Sequence, residues 1–98
     1  MTKAEHDLQA AMRELGCIDC LLDLGLHSPA SIHHILRGGR KIGESDVLPL
    51  CRLHHQGGCN GHRYTSRHPW RKAFILRYGT EEYLLARTLE LIEKGLAC

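Results

Sequence analysis

The sequence predicts a small α+β domain in which metal-bound knuckles hold a short hairpin and helix between N- and C-terminal helices. Three observations support this class. First, cysteines and histidines recur at metal-ligand spacing across residues 17–55. Second, two short segments within that span are rich in β-branched and other apolar residues, which favour strands. Third, residues 3–15 and 69–95 have the patterns of helices. A chain of 98 residues suits one domain, 1–98, whose modest core benefits from a bound metal.

The first helix is predicted over residues 3–15. Thr2 and Glu5 have the spacing of a capping box, in which each side chain satisfies the other residue's backbone N–H. Apolar residues then recur at helical spacing, and Gly16 is a plausible terminator. The helix therefore leads directly into the first metal knuckle.

A hairpin is predicted in the middle of the chain. Residues 32–36 and 47–50 are apolar and branched enough for two short strands. Pro49 cannot donate to a sheet ladder, so it belongs on an edge. The three glycines of residues 37–43 predict a flexible, basic loop without regular structure.

Three helices are predicted after the hairpin. One begins near Cys51 and ends before the glycines of the polar loop 57–67. Pro69 suits the first turn of the next, which runs to Tyr78. Thr80 caps the last helix, with two glutamates in the first turn, where the helix dipole favours acids.

Two knuckles have the spacing of a structural zinc site. Cys17 and Cys20 form C-x2-C, and Cys51 and His54 form C-x2-H, which together supply four tetrahedral ligands. His55 is adjacent to His54 and is an alternative fourth ligand. Free buried thiols are the competing interpretation of the cysteines.

A second zinc site is a weaker possibility. Cys59 and His62 form a further C-x2-H, which His68 or His27 would have to complete. Cys98 is terminal and is expected to take no part. The odd total of five cysteines and the lack of a signal segment favour a reduced, cytoplasmic protein with zinc-bound thiolates over disulfides.

The remaining histidines suit a hydrolytic site. Histidine is a good general base because its unperturbed pKa lies near neutral pH. We predict His34 as the base, with Asp46 bonded to its imidazole or fixing the loop. His55 would bind a catalytic divalent ion, with His33 or His68 as a second ligand. A core histidine at 34, a turn-capping aspartate at 46 and a helix-flanking histidine at 68 are the alternatives.

Basic residues are concentrated between residues 37 and 77. Nine lysines and arginines there stand against two acids, a net charge of +7, whereas the whole chain carries +2. This asymmetry favours a bound polyanion, although a solvated basic surface is an alternative. No apolar run approaches the length of a membrane span, so no membrane partner is expected. The candidate phosphate contacts are Arg37, Arg40, Lys41, Arg71 and Lys72.

Residues 17–55 resemble the HNH (ββα-metal) endonuclease superfamily. The likeness rests on C-x2-C, then His33-His34-Ile35, then Asp46-Val47-Leu48-Pro49-Leu50-Cys51 and a final histidine pair. It implies a ββα-metal core with His34 as general base, Asp46 as the central residue and His55 as a metal ligand. It also implies Zn²⁺ in the structural site, Mg²⁺ or Mn²⁺ in the catalytic one, and products with a 5′-phosphate and a 3′-hydroxyl. Asp46 stands where Asn is commoner.

A narrower likeness covers roughly residues 14–87. His68-Pro69-Trp70-Arg71-Lys72-Ala73-Phe74 and Arg77-Tyr78-Gly79-Thr80-Glu81-Glu82 resemble the phage and prophage Ref family of recombination-enhancement nucleases. That resemblance implies DNA cleavage in partnership with RecA filaments, an active-site or metal-binding role for His68, and two zinc sites. The resulting hypothesis is a metal-dependent DNA endonuclease. The alternative is a non-catalytic, zinc-stabilised module that binds DNA or protein.

Overall fold

The structure is a computed structural model that describes residues 1–96, with Leu96 described by its backbone alone. Cys98, expected to take no part in metal binding, lies outside the described residues. A short π-helical turn, Cys20–Leu24, follows the first helix. The remaining elements, in chain order, are α1 (Lys3–Leu15), β1 (Ser31–His34), β2 (Leu36–Arg37), β3 (Arg40–Lys41), β4 (Val47–Leu50), α2 (Arg52–His55), α3 (Arg71–Tyr78) and α4 (Glu81–Leu96).

Helix α1 begins and ends where the sequence predicts. The Thr2 hydroxyl accepts a hydrogen bond from the Glu5 backbone N–H, and the Glu5 carboxylate accepts one from the Thr2 backbone N–H, which confirms the capping box. Gly16 ends the helix at φ +88°, and a Cβ there would lie 2.7 Å from the Ser28 carbonyl oxygen. This close approach places the knuckle that follows against the segment before β1.

The central hairpin pairs β1 with β4 in antiparallel register. Ser31 lies opposite Leu50, and His34 lies opposite Val47. All four residues of β4 are buried, because α1 and α4 both pack against this strand. The first strand is shorter than predicted: it ends at His34, and the Ile35 N–H donates to the Asp46 carbonyl at 2.9 Å.

A second, smaller hairpin replaces the irregular loop predicted for residues 37–43. Strands β2 and β3 are antiparallel, with Arg37 opposite Arg40. Gly38 and Gly39 connect them at φ +58° and +77°. Positive φ at both central residues is the requirement of a type I′ turn, which matches the twist of paired strands. The prediction of irregular structure was wrong because the glycines form the turn of a hairpin.

The later helices agree with the prediction except at one boundary. Helix α2 ends before Gly57, as predicted. Pro69 lies outside α3, which begins at Arg71, so the predicted start was wrong by two residues. The Thr80 hydroxyl accepts a hydrogen bond from the Tyr83 N–H at 3.1 Å, which confirms the predicted cap of α4.

The hydrophobic core surrounds the knuckle cysteines. Phe74, Leu48 and Leu84 are fully buried and belong to the same cluster of side chains as Cys17 and Cys20. The three cysteines predicted as ligands of the structural zinc, Cys17, Cys20 and Cys51, therefore lie inside the core. Across residues 1–96, no helix combines the length and the apolar character that crossing a membrane requires.

Candidate metal centres

Four side chains from the two knuckles converge in the core. The His54 Nδ1 atom lies 3.4 Å from the sulfurs of Cys17 and Cys20 and 3.2 Å from that of Cys51. The sulfurs of Cys20 and Cys51 are 3.7 Å apart. The first knuckle runs into the π-helical turn, which begins at Cys20. The second begins at Cys51, the N-cap of α2, and includes His54 within that helix. The β1–β4 hairpin brings the two knuckles together. We call these four residues the Cys3His cluster.

The Cys3His cluster has the dimensions of a zinc site. Zn–S bonds of about 2.3 Å and Zn–N bonds of about 2.0–2.1 Å place two tetrahedral sulfurs about 3.8 Å apart, and a sulfur and a nitrogen about 3.6 Å apart. The observed separations of 3.7 Å and 3.2–3.4 Å are within about 0.4 Å of those values. All four residues are buried, so the cluster could hold a metal such as zinc.

Neighbouring groups orient the ligands. The Nε2 atom of His54 lies 3.0 Å from the Tyr78 hydroxyl, which also accepts from the Thr65 N–H at 3.1 Å. In the tautomer whose Nε2–H donates to Tyr78, the Nδ1 atom carries the free lone pair that faces the sulfurs. The Ser28 hydroxyl donates to the Cys20 sulfur at 3.1 Å.

Burial governs ionisation in the Cys3His cluster. It raises the pKa of the Cys17 and Cys20 thiols above the ordinary value and lowers the pKa of His54 to about 4. A neutral imidazole is the form that binds metal, but a buried thiolate needs a compensating cation. A divalent ion bound among these groups would supply that compensation, and the donor set of three sulfurs and one nitrogen fits zinc.

A second group of ligands contains His33, His55 and His68. Each offers one ring nitrogen, and these atoms all lie within 4.8 Å of one another. The His33 Nδ1 and His55 Nε2 atoms are 3.2 Å apart. Two imidazole nitrogens bound to one tetrahedral ion at about 2.0–2.1 Å would be about 3.3 Å apart, so this pair has the spacing of two metal ligands. We call the three residues the histidine group.

Helix α2 and the segment after the polar loop position the histidine group. His55 directly follows His54 of the Cys3His cluster, so helix α2 contributes one residue to each group. The backbone N–H groups of Arg67 and His68 donate to the carbonyls of His54 and His55 at 2.7 and 2.9 Å. This backbone ladder places His68 beside His55, as the ring-centroid separation of 5.7 Å shows.

The outer nitrogens of two of these histidines have partners of their own. The His55 Nδ1 atom lies 3.4 Å from the Ser31 hydroxyl, and the His33 Nε2 atom lies 2.8 Å from a carboxylate oxygen of Glu81. Arg67 donates from Nε to the other oxygen of Glu81 at 2.9 Å. The sequence pattern predicts no such role for Glu81 or Arg67. In the sequence, Glu81 matches the pattern of an acid in the first turn of a helix. No local signal distinguishes that role from contact with a buried histidine.

Burial and positive neighbours lower the pKa of two members of the histidine group, His55 and His68. Burial, followed by the charges of His33, His68 and Arg67, lowers the pKa of His55 to about 4. Burial and Arg67 also lower the pKa of His68. For Glu81, burial acts to raise the pKa, but hydrogen bonds from His33 and Arg67 outweigh it, and the carboxylate stays ionised. The imidazoles of His55 and His68 therefore favour the neutral form, which has a lone pair available to a metal ion.

His34 lies apart from the histidine group. Successive residues of a strand point to opposite faces, and His33 faces His55. The His34 Nε2 atom instead lies 3.1 Å from the Glu44 carboxylate, which Gln9 also contacts at 3.2 Å. The carboxylate that accepts the hydrogen bond from His34 is therefore that of Glu44, where the sequence predicts Asp46, and this hydrogen bond lowers the pKa of Glu44. Through its carbonyl, Asp46 fixes the backbone beside His34.

The polar loop does not assemble the predicted second Cys-His zinc site. Among residues 1–96, Cys59 and His62 join no group of three or more metal-ligating side chains. The Cys59 thiol faces the Gly57 carbonyl at 3.7 Å, and His27 contacts the Glu14 carbonyl at 3.2 Å. His68, the other suggested partner, belongs to the histidine group.

The predicted phosphate contacts lie on two exposed surfaces. Arg37, Arg40 and Lys41 are exposed on the β2–β3 hairpin, which follows His34 almost directly. Arg71 and Lys72 are exposed at the start of α3. Arg37 is 4.0 Å from Glu82, a contact weakened by solvent. Both surfaces are therefore available to a polyanion.

A core Cys3His cluster beside a separate histidine group defines a small α+β protein with two groups of side chains that could each hold a metal ion. The family described as "Recombination enhancement, RecA-dependent nuclease" matches residues 1–93, and the chain belongs to that family. The family description indicates a nuclease that acts in recombination enhancement and depends on RecA. No curated protein matches the chain.

Proposed function

We propose that the protein is a metal-dependent DNA endonuclease of the HNH (ββα-metal) type. The observation that carries the proposal is the convergence of His33, His55 and His68 beside the Cys3His cluster. A structural cluster needs only four ligands, so three further inward-facing imidazoles point to a second, chemical use of metal. The order of β1, β4 and α2 around this group supports the ββα assignment.

The histidine group would hold the catalytic ion. When bound, a divalent ion supplies positive charge to the scissile phosphate and to the leaving oxygen. Three imidazoles match ions such as Zn²⁺, Co²⁺ or Ni²⁺ better than Mg²⁺, which prefers oxygen ligands. Mg²⁺ or Mn²⁺, as the resemblance implies, would bind here more weakly and would need oxygen ligands from water and phosphate.

His34 is the proposed general base. In the neutral tautomer whose Nε2–H donates to Glu44, the Nδ1 atom carries the lone pair that would accept the proton of an attacking water. The water oxygen would bond to phosphorus as the bond from phosphorus to the 3′-oxygen breaks. The departing 3′-oxygen would take up a proton from solvent, which gives a 5′-phosphate and a 3′-hydroxyl. Asp46 fixes the backbone next to His34, and Glu44 fixes the imidazole tautomer.

Replacing His34 with alanine tests the proposal. We expect nicking of supercoiled plasmid to fall about 10²–10⁴-fold, because the loss of a general base has that effect. The assay would compare Mg²⁺, Mn²⁺, Co²⁺ and Zn²⁺, with and without RecA filaments on single-stranded DNA. His62→Ala removes an exposed histidine outside both clusters and should retain full activity. Equal background cleavage by all three proteins would favour a non-catalytic DNA- or protein-binding module.

Phosphate binding by the β2–β3 hairpin is a second prediction. Each cation that neutralises a phosphate releases counterions, so DNA affinity falls with salt in proportion to the number of contacts. We expect the double variant Arg37→Ala/Arg40→Ala to reduce the slope of log K against log salt by about 2. Fluorescence anisotropy with a labelled duplex measures this slope. Arg13→Ala, which removes an exposed cation on α1, should leave it unchanged.

DNA and the RecA filament are the proposed partners. The two basic surfaces suit a DNA backbone, and the family description supports the involvement of RecA. Nicking of plasmid DNA with and without RecA filaments, as above, separates an intrinsic nuclease from one that needs RecA.

A further inference from the structure

Glu81 is a charged residue buried beside the histidine group. Its side chain is 5% exposed, and that of His33 is 2% exposed. The carboxylate lies 2.8 Å from the Nε2 atom of His33, although the two residues are 48 positions apart in the chain. The contact therefore depends on how the start of α4 packs against the β1–β4 hairpin.

Arg67 holds this carboxylate in place. Its Nε donates to the second oxygen of Glu81 at 2.9 Å, and its side chain is 8% exposed. Its backbone N–H donates to the carbonyl of His54, so the same residue contacts the α2 helix that carries ligands of both centres. Arg67 and Glu81 thus form a continuous connection from α2 through α4 to His33.

Stability alone is a weak explanation for this pair. Removing two charges from water costs several kcal/mol, and apolar residues of similar size often serve the fold as well or better. A carboxylate that accepts a hydrogen bond from an imidazole has another use, however. It fixes the tautomer and the ring orientation and makes the opposite nitrogen a better metal ligand. For His33 that opposite nitrogen is Nδ1, which faces His55 at 3.2 Å.

We propose that Glu81, held by Arg67, is a positioning residue that orients His33 for metal binding. The inference rests on the proposed function, because it requires the histidine group to bind a divalent ion. It adds that the C-terminal helix α4 controls the affinity of this site. Ser31 acts in the same way on His55, but its contact is longer, at 3.4 Å.

Titration of the zinc-loaded protein with Co²⁺ tests the proposal. Calorimetry gives the affinity, and visible absorption without the thiolate-to-cobalt charge-transfer band shows that the ion has entered the histidine group and not the Cys3His cluster. We expect the double variant Glu81→Met/Arg67→Met to bind Co²⁺ about 10–100-fold more weakly than wild type. This variant removes both charges together, so it leaves no unpaired buried ion.

Two control variants separate the possible outcomes. Glu82→Gln changes the exposed neighbour and should bind Co²⁺ as wild type does. His33→Ala should lose the site, and a wild-type protein that bound no Co²⁺ there would refute the proposed function itself. Wild-type affinity for Co²⁺ in the folded double variant would instead overturn the role of Glu81.

If the double variant does not fold, the single variant Glu81→Gln provides the test. A several-fold loss of Co²⁺ affinity supports the proposal, and unchanged affinity overturns it.

Discussion

Replacing Cys51 with serine is expected to release zinc and unfold the protein. The side chain is buried among three other ligands, and a serine hydroxyl is a poor substitute for a thiolate. Structural zinc contributes about 10–16 kcal/mol of binding free energy in small domains, whereas whole domains are stable by about 5–15 kcal/mol. Loss of this ion therefore removes as much free energy as the fold possesses.

Metal content by mass spectrometry and thermal melting by circular dichroism measure this result. Wild-type protein should contain tightly bound zinc and show a cooperative melting transition. The Cys51→Ser variant should contain no bound zinc and show no cooperative transition. Chelation of wild type should reproduce the effect of the substitution. Cys59→Ser is the matched control, because Cys59 belongs to no ligand group in the described chain. A Cys51→Ser protein that melted like wild type would show that packing alone maintains the core.

Replacing His55 with alanine is expected to abolish activity without unfolding the protein. The Nε2 atom of His55 belongs to the histidine group, whereas its neighbour on the same helix, His54, belongs to the Cys3His cluster. We expect plasmid nicking to fall at least about 100-fold, since the loss of an outer-sphere partner alone costs 10–100-fold. Co²⁺ binding to the zinc-loaded protein should be lost in parallel.

The zinc content of His55→Ala distinguishes the two adjacent histidines. If His54 is the fourth ligand, the variant retains its zinc and its melting temperature. Loss of zinc would mean that His55 completes the Cys3His cluster instead. Gln56→Ala, an exposed change at the C-terminal end of the same helix, should alter neither zinc content nor nicking.

Much of the first centre could be predicted from the sequence because its geometry is local. Two residues three positions apart on one turn direct their side chains toward a common point. Each knuckle can therefore be recognised in the sequence from the spacing of its two ligands. The capping box of α1 and the Thr80 cap are local in the same sense, and both were confirmed. The β2–β3 hairpin was missed because glycines permit an irregular loop and a type I′ turn equally.

The second centre depended on tertiary structure. The alternation of a strand predicts that His33 and His34 face opposite ways, but it does not say which of them faces His55. That choice follows from the register of β1 against β4 and from the burial of β4 by α1 and α4. The partners Glu44 and Glu81 follow from the same packing, because contacts between distant residues exist only once helices and hairpin have assembled. The sequence by itself determined the knuckles and the helix caps, whereas packing decided which imidazoles meet and which carboxylates orient them.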